Sequence, residues 1–266
     1  PLVDTLKSIG ADIEYLKNEG YPPLKIKGKR LSGGEVQVPG NISSQFISAL
    51  MMVAPTMEKG LIINIQDEII SKPYIVLTAK LMEEYGVHLK WEGNRIRIKP
   101  QSYKPVSFKV ESDWSAASYW YAMASLSAQA EVTLLGLYPN SCQGDANLVN
   151  LFKDLGVSTE FVSNGVVIRK KGRPIKKFFH NFIYEPDLAQ TFVAACCFQH
   201  VPFIFSGLQS LRIKETDRIA ALRREMKKLG FVLRETDSEM LEWDGECCFV
   251  EENAVMDTYD DHRMAM

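Results

Sequence analysis

The sequence predicts an α/β fold made of repeated units of about 70 residues, each with two helices and at least three strands. Three observations predict it. A glycine that ends an amphipathic helix occurs four times, a nearly all-apolar helix with a polar first residue occurs three times, and strand-like runs follow both kinds of helix. Helices that are apolar nearly all round are expected to be buried, so the helices should lie inside, against the sheets.

The first repeated element is an amphipathic helix that stops at a glycine and continues into a strand. Its four copies read LVDTLKSIGADI, LTAKLMEEYGVHL, LVNLFKDLGVSTEF and LRREMKKLGFVL, with Gly10, Gly86, Gly156 and Gly230 at the stop. These glycines are 76, 70 and 74 residues apart. Glycine readily adopts the left-handed conformation that terminates a helix, so each is predicted to end one.

The second repeated element is an apolar helix that opens with Asn or Asp. Its copies are NISSQFISALMMVAP, DWSAASYWYAMASLS and DLAQTFVAACCF, which begin at Asn41, Asp113 and Asp187. Both residue types are favourable N-caps, because their side chains accept a hydrogen bond from a free amide of the first turn. We therefore predict that each leading residue caps its helix. Asp261 lies 74 residues beyond Asp187 and opens one more turn, DHRMAM.

Strand-like runs complete the unit. LIINIQ, EVTLLGL and PFIFSGL lie between the two helices, and three hairpins follow the glycine: HLKWEG with NRIRIKP, STEFVSN with GVVIRKK, and FVLRETDSEM with LEWDG. The chain begins in the second helix of one unit and ends in the first helix of another, so we expect a piece of a longer protein, truncated at both ends. The Pro-rich residues 99–106 predict a boundary, with 1–111 in a first domain and 112–266 in a second.

Composition excludes several classes of function. The 266 residues are 46% hydrophobic and 24% charged with a net charge of −2, which is typical of a globular protein and argues against a nucleic-acid partner. No apolar run is long enough for a membrane span. Five cysteines without a C-x-x-C pattern and four scattered histidines predict no disulfide framework and no metal site. We expect a cytoplasmic protein that needs no cofactor.

Two serine-containing helix starts are candidate phosphate sites. Ser43, Ser44 and Gln45 stand in the first turn of one helix, where free amides and the helix dipole favour an anion. Ser71 precedes Pro73 and Tyr74 at another helix start. Ordinary capping explains both patterns equally well, so the residues alone leave the choice open.

The segment RIKETDR is the most informative candidate. Thr216 or Asp217 can cap the helix that follows, but Lys214 and Arg218 are cations at a helix start, where positive charge is unfavourable. A bound anion would resolve this conflict, with Arg218 as a bidentate ligand. Glu215 is either an acid with a tuned environment or one half of a solvated ion pair.

Two further acidic segments are candidates. DDHR places the cation Arg263 at a helix start. This indicates either a site for an anionic substrate or a solvated, capped helix end. In the segment EPD, Asp187 is either a cap or a general base beside a bound hydroxyl. Together the candidates indicate carboxylates and cations that act on an anionic substrate without a metal.

The motifs ISSQF, SKPY, NSCQGD, KETDR and DHRMAM, in this order, resemble those of the 5-enolpyruvylshikimate-3-phosphate synthase family. The resemblance covers essentially the whole chain. It implies two domains, each of three βαβαββ units with buried helices, and an active site in the cleft between them. The implied reaction transfers the enolpyruvyl group of phosphoenolpyruvate to the 5-hydroxyl of shikimate 3-phosphate and releases phosphate. The implied protein is a monomer.

The resemblance also implies roles for residues outside the charged motifs. Ser43 and Ser44 would hold the phosphate of shikimate 3-phosphate, and Gln45 would contact both substrates. Ser71 would join the phosphate site, lined by Tyr74.

Among the charged residues, Asp187 would take the proton of the 5-hydroxyl and Glu215 would deliver a proton to the enol methylene. Lys214 would contact the reacting hydroxyl and the phosphates. Arg218 and Arg263 would bind phosphoenolpyruvate.

Two departures from the family pattern matter. Ser210 stands where the family commonly has Asn, which puts one contact to shikimate 3-phosphate in doubt. Further family residues that bind phosphoenolpyruvate fall outside residues 1–266, so we expect no measurable transfer from a polypeptide of these residues alone. The alternatives are a substrate-binding chain without catalysis, and a relative that acts on UDP-N-acetylglucosamine, which would lack KETDR.

Overall fold

Helices and strands alternate along the chain as the repeat predicts. A computed structural model describes residues 1–237 and 239–266. The chain divides into two units, Pro1–Phe108 (unit 1) and Lys109–Met266 (unit 2). The assignment of 1–111 and 112–266 to two domains of a longer protein stays a prediction.

Unit 1 contains three helices and six strands. The helices are α1 (Leu2–Ser8), α2 (Ser44–Val53) and α3 (Lys72–Glu84). The strands are β1 (Asp12–Tyr15), β2 (Leu24–Lys27), β3 (Gly34–Pro39), β4 (Leu61–Gln66), β5 (Leu89–Glu92) and β6 (Arg95–Ile98). β1 and β2 form an antiparallel hairpin, and the other four form a sheet in the order β3-β4-β6-β5.

The core of unit 1 lies between that sheet and the helix pair α2 and α3. β3 and β4 are parallel and α2 connects them. Alternate residues of β4, from Leu61 to Ile65, are buried, and they share one core with Ile47 and Leu50 of α2. An apolar side chain at every second strand position therefore meets the apolar stripe of a helix, as the two periodicities require.

Unit 2 contains five helices and seven strands within its described residues. The helices are α4 (Trp114–Leu126), α5 (Leu148–Asp154), α6 (Ala189–Phe198), α7 (Arg218–Lys228) and α8 (His262–Ala265). The strands are β7 (Glu131–Leu135), β8 (Val157–Val162), β9 (Gly165–Lys170), β10 (Phe178–Asn181), β11 (Phe203–Ser206), β12 (Arg234–Thr236) and β13 (Met240–Trp243). Two sheets result, β7-β9-β8 and β10-β11-β13-β12.

The sheet topology confirms the repeat. In both four-stranded sheets the first two strands are parallel and joined by a helix, and the last two form an antiparallel hairpin whose second strand returns beside the middle. The sequence order is βαβαββ in each. The α/β class predicted from the sequence is therefore confirmed.

The four glycine stops are also confirmed. Gly10, Gly86, Gly156 and Gly230 follow the ends of α1, α3, α5 and α7 with φ values of 97°, 79°, 82° and 92°. In this region of backbone conformation a Cβ atom is unfavourable, so glycine is the residue that the turn requires.

The predicted caps are partly wrong. Asp113 and Asp261 cap their helices through bonds to the amides of Ser115 and Arg263, as predicted. Asn41, however, lies before the cap of α2, which is Ser43. Asp187 lies in a 3-10 turn, Pro186–Leu188, and α6 has no side-chain cap at all.

Burial of the apolar helices differs among the three. α6 is buried at eight of its ten positions and packs against α4. α2 and α4 are buried on one side only: α2 exposes Met52 and Val53, and α4 exposes Trp120 and Met123. Across the described residues, no helix combines the length and apolar character needed to cross a membrane.

Candidate functional site

Asp187 lies where three cationic side chains of unit 2 converge. Its Oδ2 accepts a hydrogen bond from Nη2 of Arg263 at 2.9 Å. Its Oδ1 lies 3.8 Å from Nζ of Lys214 and 3.5 Å from Nη1 of Arg218. Because Asp187 does not cap α6, its carboxylate is available for these contacts with distant segments.

Arg218 is the most deeply buried of the three cations, at 1% exposure. It is the first residue of α7, whose N-cap is Asp217 rather than Thr216. Its Nε and Nη2 donate to the two oxygens of Asp261 at 2.8 and 3.1 Å, and Nη2 also donates to Oε2 of Glu215 at 2.8 Å. Such a fork of parallel bonds is among the strongest side-chain contacts that proteins make.

The third nitrogen of this guanidinium is different. Nη1 of Arg218 is buried and makes no hydrogen bond within residues 1–237 and 239–266, and the same holds for Oδ1 of Asp187, which it faces. Buried polar atoms normally have a partner. Two such atoms, 3.5 Å apart and of opposite charge, mark a place where an additional polar group could bind.

Asp261 and Arg263 reach the cluster from the start of α8. Asp261 is 1% exposed and accepts the amide of Arg263 at 2.9 Å in addition to the fork of Arg218. Burial raises the pKa of this carboxyl, but the bonds from Arg218 and from the amide of Arg263 outweigh it, so the pKa lies below its usual range. Nη1 of Arg263 also approaches the hydroxyl of Tyr119 at 3.4 Å.

Lys214 and Glu215 do not belong to α7, although the sequence placed them at its start. They lie between the 3-10 turn Gln209–Ile213 and Asp217. Their side chains are 29% and 50% exposed, so both are more accessible than Arg218. Ser210 is buried within that 3-10 turn.

Asp145 is a residue near this site that the sequence reasoning missed. It lies in the 3-10 turn Gly144–Asn147, is 2% exposed, and accepts a hydrogen bond from Oγ of Ser115. The pKa of Asp145 is raised to about 6, chiefly by burial and also by the negative charge of Asp187, while the bond from Ser115 acts in the opposite direction. The available signal was the acid in NSCQGD, a motif to which no role had been assigned.

The candidate phosphate residues of unit 1 lie at two neighbouring helix starts. The amide of Ile70 donates to the carbonyl of Gly40 at 3.2 Å, which brings the start of α3 beside the turn before α2. A Cβ at Gly40 would stand 2.8 Å from Ile65 and 3.0 Å from two carbonyl oxygens, so this approach requires glycine. Ser43 and Ser71 are thereby placed on adjacent segments.

The residues at these two helix starts differ in burial and in hydrogen bonding. Oγ of Ser43 accepts the amide of Gln45 at 3.3 Å, and Ser44 is buried while Gln45 is exposed. Ser71 is buried at the N-cap position of α3 with φ of 54°, and its side chain makes no cap bond. Tyr74 lies in the first turn of α3, and its amide donates to the carbonyl of Ser71.

Metal-binding side chains are not grouped in the described part of the chain. No three His, Cys, Asp or Glu residues among residues 1–237 and 239–266 are placed so that they could hold one ion. The described arrangement offers carboxylates and cations, which are the side chains that bind anions and exchange protons in many enzymes.

Solved structures identify the fold. Two structures of EPSP synthase from Acinetobacter baumannii superpose with TM-scores of 0.71 and 0.67 at 21% and 20% identity, and each match covers 99% of this chain and 61% of the other. The enolpyruvyl transferase NikO from Streptomyces tendae gives 0.62 at 15% identity, over 92% of this chain and 58% of its own. The fold is that of the enolpyruvyl transferases.

Sequence relatives then define the family. The profile of EPSP synthase (3-phosphoshikimate 1-carboxyvinyltransferase) matches residues 1–266, so the chain belongs to the EPSP synthase family. It is 49% identical over 266 residues to the 3-phosphoshikimate 1-carboxyvinyltransferase of Bacteroides fragilis, and 38% identical over 268 residues to that of Photobacterium damsela subsp. piscicida. The whole chain is covered in both matches, but it spans only 65% and 62% of these relatives.

Proposed function

We propose that these 266 residues carry a large part of the active site of a 3-phosphoshikimate 1-carboxyvinyltransferase. The reaction transfers the enolpyruvyl group of phosphoenolpyruvate to the 5-hydroxyl of shikimate 3-phosphate and releases phosphate. The observation that carries this proposal is the convergence of Lys214, Arg218 and Arg263 on the carboxylate of Asp187. The names of the relatives support it.

Asp187 is the general base in this proposal. In the absence of substrate its carboxylate is neutralised by cations, and an anionic substrate would compete for them. When phosphoenolpyruvate takes Arg218 and Arg263, the carboxylate is freed to accept the proton of the 5-hydroxyl. Glu215 delivers a proton to the methylene carbon, which opens the double bond, and the hydroxyl oxygen bonds to C2. Loss of a proton from the resulting methyl group and departure of phosphate from C2 restore the double bond.

Glu215 and Lys214 complete the chemistry. Glu215 is half exposed and held by one bond to Arg218, so it can turn towards a bound substrate and exchange a proton with the enol methylene. Lys214 contacts the reacting hydroxyl and stabilises negative charge as it develops on the oxygens. The base and the acid are thus separate carboxylates.

The serines bind the second substrate. Ser43, Ser44 and Ser71 hold the phosphate of shikimate 3-phosphate through hydroxyls and amides at the two helix starts of unit 1, where anions are stabilised. Gln45 and Tyr74 line the same place. Ser210 stands where the family commonly has the longer Asn, so it has only a short hydroxyl with which to contact shikimate 3-phosphate. We further propose that the protein is a monomer in the cytoplasm.

A second candidate is substrate binding without turnover, and it concerns a polypeptide of these 266 residues alone, because they span 65% and 62% of the length of the two relatives. The two candidates differ in the expected phosphate release. A polypeptide of 266 residues should release none, whereas one that contains these residues at the full length of the relatives should turn over.

The test measures phosphate release by that longer polypeptide and by its D187N and K214M variants. We expect each variant to lose about 10²- to 10⁴-fold in kcat, the contribution usual for a proton-transfer group. The matched controls are D154N and K153M, which change exposed residues of α5. Circular dichroism checks that all variants fold.

Three outcomes are informative. Near-normal kinetics in D187N or K214M would contradict the assigned role. Absence of turnover together with calorimetric binding of phosphoenolpyruvate would favour the second candidate. Neither turnover nor binding by the longer polypeptide would reject both.

A further inference from the structure

We propose that Glu225, which does not reach the candidate site, is a positioning residue that fixes the segment 255–261 and so sets the orientation of the guanidinium of Arg218. The segment delivers Asp261 to Arg218 and places Arg263 beside Asp187. What this means for substrate binding rests on the function proposed above, but the positioning itself does not.

Glu225 holds the segment through an unusually complete set of hydrogen bonds for a buried carboxylate. It is 2% exposed. Its Oε1 accepts the hydroxyl of Tyr259 at 2.6 Å, and its Oε2 accepts the amide of Asp257 at 3.0 Å and Nζ of Lys228 at 2.8 Å. Lys228 in turn donates to the carbonyl of Val255 at 2.8 Å. Two side chains of α7 therefore bind three residues of the segment.

Arg218 stands on the same face of the same helix. Arg218, Leu222 and Glu225 are four and three residues apart, so they form one buried row along α7. Glu225 lies two turns, about 10 Å, beyond Arg218. The segment is thus attached to α7 at Glu225 and again at Arg218, and the rigid helix fixes the distance between the two attachments.

The backbone between the attachments is strained. Tyr259 and Asp260 have φ values of 56° and 52°, two successive left-handed residues of which neither is glycine. Such conformations persist only where the surrounding contacts impose them. The amide of Asp261 donates to the carbonyl of Thr258 across this turn at 2.9 Å. The bonds that Glu225 accepts from the amide of Asp257 and the hydroxyl of Tyr259 attach the turn to α7.

The positioning role predicts an effect that general stabilisation does not. If Glu225 only stabilised unit 2, its loss would lower the unfolding free energy but leave the fork between Arg218 and Asp261 intact in the folded state. If it positions the segment, the fork loosens while the protein remains folded. The Nε–H of Arg218, which donates to Asp261, reports directly on this difference.

The experiment measures exchange of the Arg218 Nε–H proton with solvent by ¹H–¹⁵N NMR on the 266-residue chain. The signal is assigned by its loss in R218K. We expect exchange at least tenfold faster in Y259F and in E225Q than in the unsubstituted chain. The matched control is Y121F, which removes another buried tyrosine hydroxyl of unit 2, bonded to Oγ1 of Thr159 at 2.8 Å.

Equal exchange in Y259F and the unsubstituted chain would overturn the proposal, and so would equal acceleration in Y121F. If E225Q does not fold, Y259F decides alone, because it removes a single hydroxyl.

A calorimetric titration with phosphoenolpyruvate tests the functional consequence in the longer polypeptide. We expect Y259F to bind about tenfold more weakly and Y121F to bind normally; equal affinity in Y259F would reject the consequence for binding. If the unsubstituted polypeptide does not bind, the proposed function fails, and the exchange rates still decide whether Glu225 positions Arg218.

Discussion

The helix that joins the two parallel strands of a four-stranded sheet begins differently in unit 1 and in unit 2. In unit 1 the connection from β3 to α2 carries Ser43, an uncharged residue whose hydroxyl accepts an amide of its own helix. In unit 2 the equivalent connection, from β10 to α6, carries Asp187, a charged residue that leaves its helix uncapped and pairs with Lys214, Arg218 and Arg263. At this position of the fold, the side chain in unit 1 bonds within its own helix, whereas the side chain in unit 2 pairs with residues that are distant in the sequence.

The difference shows what each arrangement can do. A serine that caps its own helix leaves a neutral group of hydroxyls and amides at the helix start, which is the kind of place where anions are stabilised. A carboxylate surrounded by cations pairs with them, and an anionic ligand that binds the cations changes the electrostatic environment of the carboxylate. The first arrangement suits binding, and the second suits proton transfer.

Removal of Arg218 should have the largest effect on the charged cluster of unit 2. Asp261 would then be a buried carboxylate without its partner, so we expect R218M to lower the unfolding free energy of unit 2 by about 3–5 kcal/mol. Urea unfolding followed by the fluorescence of Trp114 and Trp243, both buried in unit 2, measures it. R169M is the control.

Arg169 is the matched choice because it pairs with Glu131 and Glu160 on the exposed face of β9. Exposed ion pairs contribute little. We therefore expect the urea midpoint of R169M to stay at that of the unsubstituted chain. A similar small shift in R218M would show that the buried fork does not support unit 2.

A second test uses the pH dependence of stability. The pKa of Asp145 is raised to about 6 in the folded chain, so the folded state binds this proton more tightly than the unfolded state does. The unfolding free energy should therefore fall as the pH rises from about 4 to about 6, and this contribution should not change above that range. The full effect is at most about 3 kcal/mol.

The D145N variant should lose this part of the pH dependence and be the more stable protein at pH 7. The exposed D154N variant should keep it. Urea unfolding at a series of pH values from 4 to 8 compares the three proteins. The interpretation of Asp145 as a carboxyl that resists ionisation is wrong if D145N retains the fall between pH 4 and 6.

The smallest effects are expected at the helix caps, one in each unit. Asp113 accepts the amide of Ser115 at 2.8 Å and adds negative charge at the start of α4, whereas the bond of Ser43 to Gln45 is 3.3 Å long. We expect D113A to cost about 1 kcal/mol and S43A about 0.5 kcal/mol. Thermal unfolding of each variant measures both, and a larger cost for S43A would reverse the ranking.

Local features of the fold could be predicted from the sequence. The four glycine stops, the hairpins and the caps at Asp113, Asp217 and Asp261 depend on a few neighbouring residues, and the structure confirms them. The error at Asn41 is a shift of two residues, because Ser43 offers an equally good acceptor closer to the helix. Helix ends are often uncertain by this amount.

The site could be predicted only in part. The cations of RIKETDR and DHRMAM were conspicuous because they violate a local rule at helix starts. Their partners were not predictable from spacing, since Asp261 lies 43 residues from Arg218 and Arg263 lies 76 residues from Asp187. The sequence showed Asp145 only as the acid of NSCQGD, and its raised pKa could not be predicted because that results from burial, which depends on the complete packing of unit 2.

These separations also imply an order of assembly. Each four-stranded sheet pairs strands of a single repeat, so it can form once that repeat has been synthesised. The fork of Arg218 needs the segment 255–261, which follows the last strand of its sheet. Contacts between residues far apart in the chain form late, because the entropy of loop closure must be overcome first. We therefore expect the four-stranded sheets to form before Arg218 pairs with Asp261, so that the fold is complete before the candidate site is assembled.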